Sequence, residues 1–543
     1  MSVARIDPDA ARWWQGAVVY QIYPRSFADG NGDGIGVLVG IRERLDHLAG
    51  TDASLGVDAI WLSPISPSPQ HDFGYDISDY TDVAAEYGTL ADLDALVAAC
   101  HERGLRLLMD LVPCHTSIEH PWFVESRSAR TSPKRDWYLW ADPAPDGGPP
   151  SNWTAAFGGS SWTWDETTAQ YYLHSFYPEQ PDLNWRNPEV AEAMAEVMRF
   201  WFHRGVDGFR VDAIFAAIKD DRYRDNPPDR RAHGIPGFGA AIGEDPLWSM
   251  NRPEVHDVIR HLRRVADEFP GRVLVGEAYL PVEELAAYLG HGRDDEFHLA
   301  FNFELLRSPW EQLHLRLAIE RSEALHPPGV WPTYQISNHD QSRHATRWGE
   351  AAAGVAAMLL LTLRGVPVLF AGEEIGMVDA DPAILPDPPF DRAGRDACRT
   401  PMQWDASPGG GFTTGEPWLP LADHATRNVG AQARDPHSIL ALYRRLIRAR
   451  RASPALERGT HRSLFAIGED LVAYLREADG ERMLVLLNPA GAPRTATLDA
   501  RRLGANEGEV VVATSTRHGW VAFDGGVALE GHEGLLLRLS PGT

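Results

Sequence analysis

The chain has 543 residues, 44% apolar and 23% charged, which is too long for one ordinary domain and fits a soluble globular protein. Its 76 acidic against 51 basic residues give a formal charge of −25, which argues against nucleic acid and anionic membranes as partners and leaves a neutral or cationic ligand. Three cysteines without metal-ligand spacing (Cys100, Cys114, Cys398) argue against a disulfide framework, and the N-terminus has no apolar leader, so the composition points to a reducing, cytoplasmic setting.

In chain order, short apolar runs recur at Val18–Tyr23, Ala59–Leu62, Leu105–Met109, Gly208–Val211, Arg272–Val275, His298–Phe303, Thr333–Ile336 and Val366–Phe370. Several are rich in Val, Ile or Phe, as buried parallel strands are. Leu90–Arg103 and Glu189–Arg204 carry apolar residues at helical spacing, and Asn187-Pro188 supplies the second with a cap and an N1 proline. Alternating strands and helices predict an α/β fold, and eight strands predict a (β/α)8 TIM barrel. No GxGxxG follows the first strand, which argues against a doubly wound dinucleotide fold.

Two stretches break the rhythm. Residues 116–184, rich in Pro, Gly, Ser and Trp, read as a subdomain inserted after the third strand. Residues 377–430 read as a rim over the barrel mouth. Beyond residue 456, Leu471–Arg476, Met483–Asn488, Val510–Ala513 and Leu535–Leu539 are short strands between Gly, Asp and Pro turns. The expected organisation is a barrel over 1–115 and 185–455, the insert over 116–184, and a C-terminal antiparallel β domain, a β-sandwich, over 456–543. The apolar stretch Val355–Leu363 is too short to span a bilayer. Most of the aromatic residues, 10% of the chain, are expected in the core.

Acidic residues stand at the ends of the predicted strands: Asp110, Asp212, Glu277 and Asp340. A barrel carries its chemistry on the loops at those ends. His115, Arg210 and His339 accompany them, making a polar pocket. One acid at a strand end is more often a cap or a surface ion pair, but four beside His or Arg are hard to ascribe to coincidence. Arg210 stands two residues before Asp212, on the same side of the strand, where its charge keeps Asp212 ionised. Apolar Val273, Leu274 and Val275 before Glu277 predict burial that keeps it protonatable.

These motifs identify a resemblance to glycoside hydrolase family 13, the α-amylase superfamily, and within it to the exo-acting α-glucosidases. It rests on Val19-Tyr-Gln-Ile-Tyr-Pro-Arg-Ser-Phe27, Gly56–Pro64, Asp110–His115, Gln180-Pro-Asp-Leu-Asn184, Gly208–Ala213, Glu277, Asn338-His-Asp340, Gly372–Met377 and Arg399-Thr-Pro-Met-Gln-Trp404, in that order. It implies Asp212 as nucleophile, Glu277 as general acid/base and Asp340 as stabiliser of an oxocarbenium-like transition state. Retention requires Asp212 and Glu277 about 5–5.5 Å apart. The resemblance also implies Asp72 and Tyr75, in His71-Asp-Phe-Gly-Tyr-Asp76, against the terminal glucose, and His115, His339 and Arg399 on its hydroxyls or on the surrounding carboxylates. Phe157 and Phe176 are expected on the pocket wall. The substrate class implied is a short α-glucoside or oligosaccharide.

Asp29-Gly-Asn31-Gly-Asp33-Gly-Ile35 sets oxygen ligands at every second residue, but the twelfth position is Gly40, so it is no EF-hand. In the resembling enzymes this loop holds one structural ion, usually Ca²⁺. Val37 stands where they commonly have Asp, so a weaker site or Mg²⁺ is the alternative. Cys114 replaces the Asn that many relatives use in a different calcium site, which argues against a second metal. Ala213 occupies the position at which Ala or Thr accompanies α-1,4 and Val α-1,6 preference, so an α-1,4 preference of maltose type is expected. The rival readings are a transglucosidase with the same residues, an oligo-1,6-glucosidase and, more remotely, a non-catalytic sugar-binding or transporter-associated relative.

Overall fold

The computed structural model describes residues 12–228, 244–326, 329–465 and 467–540. In chain order the strands are β1 (Val19–Ile22), β2 (Ala59–Leu62), β3 (Arg106–Leu111), β4 (Trp140–Ala141), β5 (Trp162–Asp165), β6 (Gln170–Leu173), β7 (Gly208–Val211), β8 (Val273–Gly276), β9 (Leu299–Asn302), β10 (Thr333–Gln335) and β11 (Val366–Phe370). Eight of them close a parallel barrel in the order β1-β2-β3-β7-β8-β9-β10-β11, with β1 paired to β11. The predicted runs lie on these strands within a residue or two at each end. Their burial on both faces explains why they read as unbroken apolar runs.

The remaining three strands, β4-β6-β5, form a small antiparallel sheet between β3 and β7. Its stacked and edge-on rings, with Trp140 and Tyr172 around Phe123, account for the local richness in aromatics.

Helix Pro188–His203 begins where its sequence says it must. The Asn187 side chain accepts from the Glu189 N–H, and Pro188 takes the N1 position. Val190, Met194, Val197, Met198 and Trp201 form its buried stripe.

The C-terminal strands are β12 (Thr460–Ser463), β13 (Val472–Ala478), β14 (Glu481–Leu487), β15 (Arg494–Ala496), β16 (Glu507–Ala513), β17 (Trp520–Ala522), β18 (Val527–Leu529) and β19 (Gly534–Leu539). They make a six-stranded sheet, β12-β13-β14-β19-β16-β17, and a pair, β15-β18. Alternation decides which side chain goes where. Tyr474, Met483, Val485 and Leu487 join the barrel's core, whereas Leu475, Leu484 and Leu486 build a second core between the sheets.

The apolar stretch near Val355 is the helix Ala353–Thr362, buried almost throughout, which packs against β14 and β19. Its Thr362 hydroxyl bonds the Tyr474 hydroxyl at 2.6 Å. Among the described residues no helix is long and apolar enough to cross a membrane. All three cysteines are free and buried.

Candidate active site

Asp212 and Glu277 each stand one residue beyond a barrel strand, yet the ladder still holds them. The Asp212 N–H donates to the Leu111 carbonyl at 2.8 Å and the Glu277 N–H to that of Val211 at 2.9 Å. Two carboxyls are thereby fixed by strand geometry while their side chains clear the barrel's packed interior. Asp340 sits in the loop after β10, where its N–H donates to Asn338 Oδ1 at 3.0 Å.

One guanidinium organises the cluster. Arg210, 2% exposed, donates through Nη1 to Asp110 Oδ1 at 2.6 Å and Asp212 Oδ1 at 2.5 Å, and through Nη2 it pairs with Glu277. Glu277 also accepts from the Ala213 N–H at 3.1 Å. Ala213 itself has φ 42°, in the left-handed region.

Burial decides most of the protonation states. It pushes Asp110 up to about 7, against the pull of Arg210. It raises both Asp212 and Glu277, again against Arg210, which touches both. The sequence reading, in which Arg210 holds Asp212 ionised, therefore describes only half of the balance. One cation is shared among three carboxyls, and Asp212 and Glu277, both raised by burial, titrate together as a pair.

Asp340 behaves differently. Burial would raise it, but the guanidiniums of Arg395, Arg399 and Arg210 together hold it below the usual carboxylate range. Burial lowers His115 to about 4 and His339 to about 3, so both imidazoles are neutral at pH 7.

A cavity of about 450 Å³ opens over these groups. Of the expected residues, Asp72, Tyr75, His115, Phe157, Phe176, Asp212, Ala213, Glu277 and Asp340 line it. Arg210, His339 and Arg399 stand behind this lining. Arg399 Nη2 donates to Asp340 Oδ1 at 3.1 Å and Nε to the His339 carbonyl at 2.7 Å. The His339 ring links Gln21 at 2.7 Å to the Tyr75 hydroxyl at 2.6 Å. These three residues thus act on the carboxylates and on Tyr75.

Five lining residues escaped sequence reasoning: Tyr177, Tyr279, Arg392, Ala393 and Arg395. Arg395 is the most consequential. It donates to Asp340 Oδ1 at 2.9 Å, Asp72 Oδ1 at 2.6 Å and Asp391 Oδ1 at 2.8 Å. It lies in the irregular rim, where no periodicity announces a direction. Tyr279 lies in the irregular chain beyond β8, where strand alternation no longer fixes a direction.

A second buried cluster lies behind His115. The Lys219 ammonium pairs with Asp182 at 2.5 Å, contacts the Ala216 carbonyl and stands 3.8 Å from Cys114 Sγ. Cys114, His115 and Asp182 offer atoms close enough to share a cation. The chain supplies its own cation there.

The Asp29–Ile35 loop is an oxygen-rich turn. Asp29 accepts from the N–H groups of Asn31, Gly32 and Gly34 at 2.8–2.9 Å and from the Thr413 hydroxyl at 2.5 Å. Asp33 accepts from the Ile35 N–H and the Asn31 amide, both at 2.9 Å. In kind, these donors fit a hard divalent cation; in number, they fall short, because the buried Val37 side chain adds no oxygen.

A parallel eight-stranded barrel with carboxyl groups gathered at the C-terminal ends of its strands defines an enzyme of the (β/α)8 class built around acid chemistry. The model of the alpha amylase catalytic domain matches residues 21–459, and the chain belongs to that family, the glycoside hydrolases of family 13. It is 45% identical to a probable alpha-glucosidase of Rhizobium meliloti (strain 1021), covering 95% of this chain and 97% of that one. It is 39% identical to an oligo-1,6-glucosidase of Heyndrickxia coagulans, covering 88% and 92%. Among solved structures, the alpha-glucosyl transfer enzyme XgtA is similar, with a TM-score of 0.88 and 40% identity over 97% of this chain and 99% of that one.

Proposed function

We propose that the chain is a retaining α-glucosidase that releases glucose from the non-reducing end of short α-glucosides. The observation that carries this reading is a single guanidinium, Arg210, in contact with both Asp212 and Glu277 beneath the cavity. One planar group bridging two carboxyls favours the short separation of about 5–5.5 Å of retaining enzymes over the wider gap of inverting ones.

In this reading Glu277, raised by burial, carries the proton and delivers it to the glycosidic oxygen. Asp212 attacks the anomeric carbon and forms a glucosyl-enzyme. Glu277 then takes a proton from water, which hydrolyses the intermediate. Asp340, held ionised, offsets the positive charge that grows on the ring. In the same reading the Asp72–Arg395 ion pair, on the cavity lining, would close the site behind one terminal sugar. Neutral His115 contributes hydrogen bonding without adding charge.

Asp212→Asn should abolish release of glucose from maltose and from a nitrophenyl α-glucoside; unchanged turnover would refute the assignment of the nucleophile. The small Ala213 side chain at the cavity wall supports an α-1,4 preference. A strong preference for isomaltose over maltose would overturn that part. Likeness to XgtA supports a second reading, in which a sugar replaces water as acceptor. Product analysis at high sugar concentration separates the two.

We further propose that Asp29, Asn31, Asp33 and Ile35 hold one structural Ca²⁺ or Mg²⁺, bound weakly for want of an acid at position 37. The free, buried cysteines support a reducing, cytoplasmic setting.

A further inference from the structure

Arg392 and Arg395 stand three residues apart on the rim. Phe157 and Tyr177, from the inserted segment, stack with ring centres 4.3 Å apart and planes 22° from parallel. Each arginine takes one ring of that stack. The Arg392 guanidinium lies 4.0 Å from the centre of Tyr177 and that of Arg395 lies 5.5 Å from the centre of Phe157. Arg392 is secured further by Glu179 at 3.1 and 3.3 Å and by the His71 carbonyl at 3.4 Å. His71 precedes Asp72, and Gln180, next to Glu179, donates to Asp72 Oδ2 at 3.1 Å. The clasp therefore converges on the part of the cavity lining where Arg395 joins Asp72 to Asp340.

We propose that Arg392 is a positioning residue for sugar binding: it clasps the rim to the insert through Tyr177 and Glu179 and thereby holds Arg395 against Asp72 and Asp340. This rests on the α-glucosidase reading of the site. The Arg395 side chain is 12% exposed, whereas those of Arg392 and Glu179 are 47% and 23% exposed. An ion pair so open to water is weak and is screened by salt, whereas the more enclosed pairs of Arg395 with Asp72 and Asp340 are screened less. The clasp thus makes the affinity of a buried sugar site depend on ionic strength.

The test compares the full-length wild type with Arg392→Met, Arg392→Lys, Glu179→Arg and the Arg392→Glu/Glu179→Arg exchange. Steady-state kinetics on a nitrophenyl α-glucoside run beside calorimetric binding of glucose. Loss of one exposed cation–ring contact and one exposed ion pair should raise KM and the glucose Kd about 3- to 10-fold in Arg392→Met. The value of kcat should stay within about threefold and Tm within about 1 °C, as expected for surface contacts. Arg392→Lys should recover most of the loss, and the exchange should bind better than Glu179→Arg alone. Salt at 0.5 M should weaken glucose binding to the wild type and leave Arg392→Met unchanged. A KM and Kd for Arg392→Met within a factor of two of the wild type, or an equal salt effect in both proteins, overturns the proposal. Because glucose binding needs no catalysis, a protein that binds glucose through the clasp and cleaves nothing would sink the hydrolase reading alone.

Discussion

Replacing Arg210 by Met removes the only guanidinium that touches Asp110, Asp212 and Glu277 among the described residues. The Arg210 side chain is 2% exposed and that of Asp110 is fully enclosed, so Asp110 cannot recover its hydration. Stripping one partner from a buried ionic group costs about 3–5 kcal/mol. At about 2.1 cal/mol/K of unfolding entropy per residue, a loss of that size lowers Tm by roughly 3–4 °C in a chain of this length.

The loss should depend on pH in a definite sense. Burial already pushes Asp110 up to about 7 with the arginine present, and without it the folded-state value rises further. A carboxyl raised on folding binds more protons in the native state than in the unfolded chain, where its value is about 3.9. Its stabilising contribution is complete below that value and is lost as pH rises through the folded one. The deficit of Arg210→Met relative to the wild type should therefore be smallest near pH 5 and largest near pH 8. Activity should fall about 10²–10³-fold, the usual consequence of removing one preorganised electrostatic partner. Calorimetric melting at the two pH values, with kcat/KM on a nitrophenyl α-glucoside, measures both. A Tm deficit that grows on acidification would refute the reasoning.

Three further outcomes follow from other parts of the molecule. Lys219→Met strands the buried Asp182 carboxylate and should cost about 3–5 kcal/mol, read as a Tm lowered by several degrees; a melting curve superimposable on the wild type would refute it. Ala213→Val puts a β-branched residue at φ 42°, which should cost about 1–2 kcal/mol and shift the ratio of isomaltose to maltose hydrolysis upward; an unshifted ratio would remove residue 213 from the specificity argument. Val37→Asp adds the missing carboxylate to the Asp29 loop, and Ca²⁺ should then raise Tm more than in the wild type. An equal Ca²⁺ response in both proteins would mean that the loop does not bind the ion through that position.

The barrel was legible because each parallel strand, buried on both faces, leaves an apolar run that ends abruptly in a polar residue. Asp212 and Glu277 were legible for the same reason, since each stands one or two positions beyond such a run. Arg395, Arg392 and Tyr177 were not, because they project from segments whose course is set by turns and long-range ion pairs instead of by a repeating period. His339 and Arg399 were found by motif, but a motif does not tell whether a side chain faces the cavity or props up a neighbour that does. The balance at Asp212 was hidden for another reason: sequence showed the cation two residues away but not the two other carboxyls that draw on the same charge.

The ion pair between Asp72 and Arg395 has a kinetic counterpart. If it seals the far end of the cavity, traffic has a single doorway, and the two halves of a cleaved disaccharide must leave in a fixed order. The departing sugar, nearer the opening, goes first; glucose, beneath it, cannot overtake. Free glucose would then occupy the deep position whenever it accumulates, competing directly with fresh substrate, and the rate of the final exit would govern how quickly the enzyme is ready for another round.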